Sequence, residues 1–257
     1  MTISTWDYVL IYGLLFVLGA CLGSFFILVG SRTARKESIV TPRSHCNHCQ
    51  HELKFYELIP VVSWVTLRGK CSKCQAKIPV KYVVLEIISG LAMMSTCFLL
   101  AFSKEAIVGL TFYYLLLTIT VSDMEEHKIP NIVLLPFLIT GLIERFIVSQ
   151  TVNWWFNPLL GFVVGFGVMF LLGYFSEDGM GGGDIKLLAV IGVFVGAAGA
   201  IATLVLASFI GLFYAIFSGL AVKKGKKIPF GPFLAIGGLM TYFFLSGQLN
   251  QLLLALS

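Results

Sequence analysis

"LLAVIGVFVGAAGAIATLVLASFIGLFYAIFSGLAV", residues 187–222, runs for 36 positions without one charged side chain. A single bilayer crossing needs only about 20 apolar residues, so the stretch is read as two spans, 187–198 and 199–222, turning at "GAAGA". Such a hairpin has no place in a water-soluble globule. The composition agrees: 58% of the residues are hydrophobic and 12% are charged, against about 25% charged in soluble chains, and the mean hydropathy is +0.91.

Working outward, further apolar runs fall at 154–175, 131–148, 106–122 and 82–103 on one side and at 228–249 on the other. Glu144 and Arg145 shorten the 131–148 run from its end, where long side chains are expected to reach the interface. The first run, 8–31, has no basic segment before it and no small-residue cleavage site, so a retained helix is expected rather than a removable signal. The fold class expected is an all-α polytopic membrane protein of about eight transmembrane helices with a small cytoplasmic zinc-ribbon-like insertion. Its divisions are residues 1–31, 32–81 and 82–257.

Charge sets an orientation, because short cytoplasmic loops are enriched in Lys and Arg. With the N-terminus outside, 16 of the 18 basic residues fall on the cytoplasmic side, leaving Lys104 and Arg145 outside. The net charge of +5 is thus a topology signal and an attraction to anionic lipid, rather than a nucleic-acid footprint.

The one sizeable polar segment, residues 32–81, carries ten basic and three acidic residues and four of the six cysteines. These fall as "CNHC" (Cys46, Cys49) and "CSKC" (Cys71, Cys74), with 21 residues between the pairs, each followed by a similar phrase, "CQHEL" and "CQAKI". A duplicated knuckle of this kind brings four thiolates around one zinc ion, and a reducing cytoplasm favours that over two disulfides. His45, His48 and His51 surround the first knuckle but are read as polar loop residues, since four cysteines already complete a structural site. Cys21 and Cys97 sit singly in apolar spans and are read as small buried hydrophobes.

Acids in membrane spans carry more information, since a carboxylate at a helix centre costs about 3 kcal/mol on insertion scales. Glu86, one turn inside its span, reads equally as a partner for an interfacial cation such as Lys81 and as a catalytic group. Asp123 ends the 106–122 span in "TITVSDMEEHKIPN", and Asp184 opens 187–198 in "SEDGMGGGDIKLLAV". Two crossings separate them, so both face the same side. Each alone has an ordinary reading: Asp184 as a helix N-cap, Asp123 as a membrane-surface acid. Together they are a pair able to share a proton and activate water against a peptide bond. Glycine before Asp184 lets backbone and substrate approach closely. A phosphate loop is a poor competitor, because no Gly-Lys-Ser/Thr follows.

These residues resemble the type IV prepilin peptidases, of the GxGD class of membrane aspartic proteases. The resemblance spans nearly the whole chain, through "LGSFF" (22–26), the knuckles with "YELIPVVSW" and "LRGKC", "DMEEHKIPN", "GMGGGDIKLLA" and "IPFGPFLAIGG". It differs at Ile27 and Leu58, where the family commonly carries Asn. The resemblance implies that Asp123 and Asp184 are the catalytic pair, that Gly183 is the glycine before the GxGD aspartate, and that the cysteine loop is the cytoplasmic domain. It also implies S-adenosylmethionine-dependent N-methylation of the new N-terminus, linked to the N-terminal region.

The reading is therefore a multi-pass enzyme of the bacterial inner membrane, active site and zinc loop facing the cytoplasm. It cleaves the leader of prepilin or pseudopilin-like substrates and methylates the exposed residue. Glu125, Glu126, Glu177 and Asp178 flank the pair and are candidates to attract a basic leader, or are solvated loop charges. Two other classes stand beside this one: a transporter moving ions or protons on the two aspartates, and a zinc-ribbon membrane scaffold without chemistry. A transporter would place its acids near the bilayer midplane, and both candidates lie at helix ends.

Overall fold

The computed structural model describes residues 5–46, 48–148, 156–175, 181–218 and 229–245. Among these, the chain is helical, with two isolated β-bridges and no strand. It divides into two compact units, Met1–Ala101 and Phe102–Ser257.

In the first unit, α1 (Thr5–Ala34) and α3 (Val80–Leu99) are long apolar helices, and a short α2 (Val62–Thr66) lies in the loop between them. Lipid chains are as apolar as leucine, so membrane helices associate where small residues let backbones close. Gly19 of α1 packs on Ser89 and Met93 of α3, Gly23 packs on Ser89, and Gly90 of α3 packs on Phe16. As α1 advances from 16 to 23 its neighbours recede from 90 towards 86, so the pair is antiparallel.

The second unit comprises α4 (Lys104–Glu126), α5 (Asn131–Val148), α6 (Phe156–Phe175), α7 (Gly182–Phe217) and α8 (Gly231–Leu245). At its centre, Phe112, Leu115, Leu116 and Ile119 of α4 and Leu187, Leu188, Ile191 and Phe194 of α7 are fully buried. The rings of Phe112 and Phe194 stack with centroids 4.9 Å apart.

The uncharged stretch behaves as its length requires. α7 is interrupted at Gly196, whose φ of 74° and ψ of 179° no L-residue adopts without strain. Its two halves run in opposite directions. Along α8, Phe233 touches Gly211 and Tyr214 while Gly237 touches Thr203 and Ala207, so the second half is antiparallel to α8. The first half is parallel to it: Gly238, further along α8, meets Ile191, and the start of α8 lies at Asp123, whose charge Asp184 feels from the start of α7. Six helices are long and apolar enough to cross a membrane. Because α7 doubles back and α8 is a shorter apolar helix, the described residues hold eight apolar segments: five single helices, the two halves of α7, and α8.

α6 packs on the first half of α7 along glycines: Gly161 faces Gly192, Gly165 lies on the backbone of Leu188 and Ala189, and Gly196 lies on the Asn157 side chain. A Cβ on Gly161 would collide with the Gly192 carbonyl, and one on Gly192 with the Gly161 carbonyl. The two backbones touch.

Arg145 and Glu144 differ from the expectation of interfacial side chains. Arg145 pairs with Glu105 at 3.1 Å and donates to the backbone carbonyl of Phe194, two residues before the break in α7. The Tyr242 hydroxyl donates to Glu105 Oε2 at 3.0 Å, and Thr111 donates to Glu144 Oε1 at 2.6 Å. Four helices thus share one polar cluster within the unit. Buried polar groups need partners in a low dielectric, and these supply one another except at Glu144 Oε2, which has no hydrogen-bond partner among the described residues.

Candidate functional site

In the first unit, the duplicated cysteine phrases fold as duplicated turns. The Cys46 N–H donates to the His51 carbonyl and the Gln50 N–H to the Cys46 carbonyl; Cys71 with Ala76 and Gln75 with Cys71 repeat the pattern. Gln50 and Gln75 both take left-handed φ, 55° and 59°, to close each turn. The bridges His45–Glu52 and Lys70–Lys77 frame the two knuckles.

The four sulfurs lie within 4.8 Å of one another. Cys46 to Cys74 is 3.7 Å and Cys49 to Cys71 is 3.9 Å. A tetrahedral ion with about 2.3 Å bonds to sulfur separates its ligands by about 3.8 Å, whereas a disulfide needs about 2.05 Å. The donor set therefore fits a metal ion, and all four cysteines are free of disulfides. Backbone N–H groups of Cys49 and then His48 hold the Cys46 thiol down to about 6, favouring the thiolate that binds soft cations.

The neighbouring histidines keep to the loop. His45 Nδ1 lies 2.9 Å from the Arg43 carbonyl, and His51 lies 3.4 Å from Glu57. Glu57, only 7% exposed, accepts from the Lys54 N–H at 2.7 Å. The Ser72 side chain, with the Lys54 N–H and His51, holds its carboxyl below the usual carboxylate range. Glu57 thereby ties the 54–57 segment to His51, at the end of the first knuckle. Glu86 accepts the Val61 N–H at 2.9 Å, a backbone partner that the reading with Lys81 did not foresee. Cys97 is buried as expected, while Cys21 lies on an exposed face of α1.

In the second unit, Asp123 sits in the last turn of α4 rather than beyond it, and is 6% exposed. The helix ends at His127 in the left-handed region, φ 52° and ψ 41°, its N–H on the Asp123 carbonyl oxygen. Ser122 Oγ donates to the Lys128 carbonyl at 2.6 Å and pins the turn back on the helix. Pro130 then starts α5, its carbonyl accepting from Val133 and Leu134.

Asp184 lies in the first turn of α7, its N–H bonded to the Gly181 carbonyl at 3.0 Å. The N-cap position belongs to Gly181, which has no side chain, so the plain capping reading of Asp184 does not hold. A Cβ on Gly183 would approach Ile129 to 2.9 Å; glycine here lets the α4–α5 turn lie on the first turn of α7. Lys186 fastens the same junction, donating to Asn131 Oδ1 at 3.2 Å. Asp184 ends close enough to Asp123 to feel its charge.

A third helix end joins them, which the sequence reading missed. The N–H of Gly231, the first residue of α8, donates to Asp123 Oδ2 at 2.8 Å. A Cβ at Gly231 would stand 2.7 Å from that oxygen and 3.2 Å from Asp123 Cβ, so only glycine brings the backbone this near. The phrase "IPFGPF" held the signal, a glycine flanked by proline at a helix start, but nothing in it named Asp123 as the partner.

The candidate leader-binding acids are placed unevenly. Glu125 and Glu126 are half-buried in the last turn of α4, and Glu126 pairs with Lys128 at 3.3 Å. Glu177 and Asp178 lie outside the described residues.

Two family models match the chain in succession. Residues 17–100 match the bacterial peptidase A24 N-terminal domain and residues 110–216 the type IV leader peptidase family. A Bacillus subtilis (strain 168) protein named prepilin leader peptidase/N-methyltransferase is 32% identical, over 90% of this chain and 93% of its own. A protein of the same name from Dichelobacter nodosus is 31% identical over 84% of this chain and 75% of its own. The type 4 prepilin-like proteins leader peptide-processing enzyme of Escherichia coli O78:H11 is 31% identical, over 81% and 78%. No solved structure matches the chain significantly. With both models in order and relatives alike across most of their lengths, this multi-pass membrane protein belongs to the type IV leader peptidase family.

Proposed function

We propose that this chain is a membrane aspartic endopeptidase that cleaves the leader of prepilin-like proteins, and an N-methyltransferase that modifies the residue exposed. The observation that carries the peptidase reading is the meeting of Asp123 and Asp184 at the ends of α4 and α7, each in its family motif. Gly183 lets the α4–α5 turn lie on the first turn of α7, and the Gly231 N–H holds Oδ2 of Asp123.

In the proposed reaction one aspartate takes a proton from water as the water oxygen bonds to the scissile carbonyl carbon. Its partner gives a proton to the carbonyl oxygen. Collapse of the tetrahedral intermediate breaks the carbon–nitrogen bond: the departing amine is protonated by the aspartate that first accepted a proton, and one hydroxyl of the intermediate returns its proton to the partner aspartate. A coupled pair of this kind works as one unit.

Four thiolates at tetrahedral spacing support zinc as the structural ion of the loop, held by Cys46, Cys49, Cys71 and Cys74. Zinc there would supply cross-linking rather than chemistry. The methyltransferase half rests on the relatives' names and on the N-terminal family match. S-adenosylmethionine would supply the methyl group. The charge asymmetry supports a bacterial inner-membrane protein with loop and dyad facing the cytoplasm, where basic leaders would meet Glu125, Glu126, Glu177 and Asp178. Purified protein incubated with a prepilin should release its leader and then methylate the new N-terminus. Absence of any cleavage across prepilins from pilus, secretion and DNA-uptake systems would overturn the proposal.

A further inference from the structure

Segment 55–65 of the first unit presents an apolar edge. Phe55 is 85% exposed, and Tyr56, Leu58, Ile59, Val62 and Val65 are exposed beside it. Water does not tolerate a patch of this kind without cause. The half-buried Trp64 and the buried Glu57 of the same segment face the other way: Trp64 donates to the Ile78 carbonyl and covers Gly69, and Glu57 accepts from the Lys54 N–H and lies 3.4 Å from His51.

The depth of the segment says what covers the edge. Val61 is bonded to Glu86, six residues inside α3, or about 9 Å along the axis at 1.5 Å per residue. The 20 residues of α3 are about as long as the hydrocarbon layer is thick, about 30 Å. Helical side chains lean back towards the N-terminus, so the Glu86 carboxyl that Val61 meets lies nearer the start of α3 than its Cα. The residues around Val61 thus dip below the mouth of the helix, close to the level where headgroups meet acyl chains. Both ends of the loop continue into spanning helices, which hold it against the membrane. Cations lie over aromatic rings at two places: Lys54 Nζ is 5.9 Å from the centroid of Tyr56 in the segment itself, and Lys81 Nζ is 4.9 Å from that of Tyr82 in the first turn of α3. That pairing of ring and long cation suits an interface, with the ring at the acyl boundary and the ammonium reaching phosphate. The loop's ten basic against three acidic residues complement an anionic leaflet.

We infer that residues 55–65 are an interfacial membrane anchor, whose apolar edge lies in the headgroup–acyl boundary of the bilayer and lays the cysteine loop down on the membrane surface. The anchor stands on the first unit alone and holds whether or not the chain is a peptidase.

The test is photo-crosslinking of the full-length protein in its own membranes. p-Benzoyl-L-phenylalanine is placed at position 55, separately at 62, and at 73, where the exposed Lys73 marks the polar tip of the second knuckle. Position 65 stands in for either anchor site if that variant fails to accumulate in the membrane. Irradiation should yield phospholipid adducts from 55 and 62, seen by mass spectrometry, and none from 73. Crosslinks from 55 and 62 to protein, whether a remote part of this chain, a second copy or another partner, would overturn the inference. So would lipid adducts no more abundant than those at 73.

Discussion

Gly231→Ala perturbs the active-site assignment at a point that touches neither aspartate's covalent structure. The added methyl would stand 2.7 Å from Asp123 Oδ2 and 3.2 Å from its Cγ, so the carboxyl must move away from the start of α8. That movement breaks a 2.8 Å hydrogen bond to a group only 6% exposed, where no bulk water replaces the lost donor. Hydrogen bonds to charged groups contribute about 1.5–3 kcal/mol. At about 1.4 kcal/mol per factor of ten, cleavage should fall about 10- to 100-fold. The assay is kcat/KM for leader release by the solubilised variant. Methylation of a pre-cleaved substrate serves as the check that the protein is folded. Gly182→Ala is the matched control, because a Cβ there meets nothing within 4 Å although Asp184 is two residues away. If Gly231→Ala stays within about twofold of wild type while folded, the contact does not position Asp123 and the reasoning fails.

Replacing Cys46 and Cys71 by Ser should release the metal and unfold the 32–81 loop, read by elemental analysis and proteolysis. Chelation should leave cleavage intact unless the loop unfolds, unlike the behaviour of a metalloprotease. The depressed Glu57 carboxyl stabilises the loop above the ordinary carboxylate range, and that contribution is lost as pH falls through its lowered value. Glu57→Gln should therefore destabilise the loop at neutral pH and flatten this part of its acid response, as followed by thermal melts across pH. Gly192→Leu should separate α6 from α7, because the side chain meets the Gly161 backbone; overpacking of this kind costs about 1–3 kcal/mol or more, measurable as a lower melting temperature. Charge-neutral replacement of Glu125, Glu126, Glu177 and Asp178 together should raise the KM for a basic leader most at low salt.

What could be read from the sequence was local or additive. Thirty-six uncharged residues exceed one crossing, and the glycines of "GAAGA" offered the place to turn, which the chain takes at Gly196. The paired cysteine phrases announced paired knuckles, since each turn is closed by bonds within six residues. The meeting of two acids on one side followed from counting spans. Contacts between distant segments left no such trace. Gly231 sits 108 residues from Asp123, and its role depends on where α8 begins in space. Arg145 looked like an interfacial cation because nothing local revealed that Glu105 and a carbonyl beside the α7 break would meet it. The glycine spacings of α6 and α7 stand in the sequence, but only packing shows that Gly161 and Gly192 face each other. Asp184 resembled an N-cap because the helix start was taken too late by several residues; α7 begins at Gly182.

The account stands on Asp123 and Asp184 acting as one catalytic unit, and the direct measurement is leader cleavage by Asp123→Asn, Asp184→Asn and the double variant, each purified and shown to be folded by its methylation of a pre-cleaved substrate. The account predicts that either single change abolishes cleavage and that the double is scarcely worse, because groups that act together lose their function together. A single variant that still cuts prepilin at near wild-type rate, or two partial losses that multiply in the double variant, would contradict it.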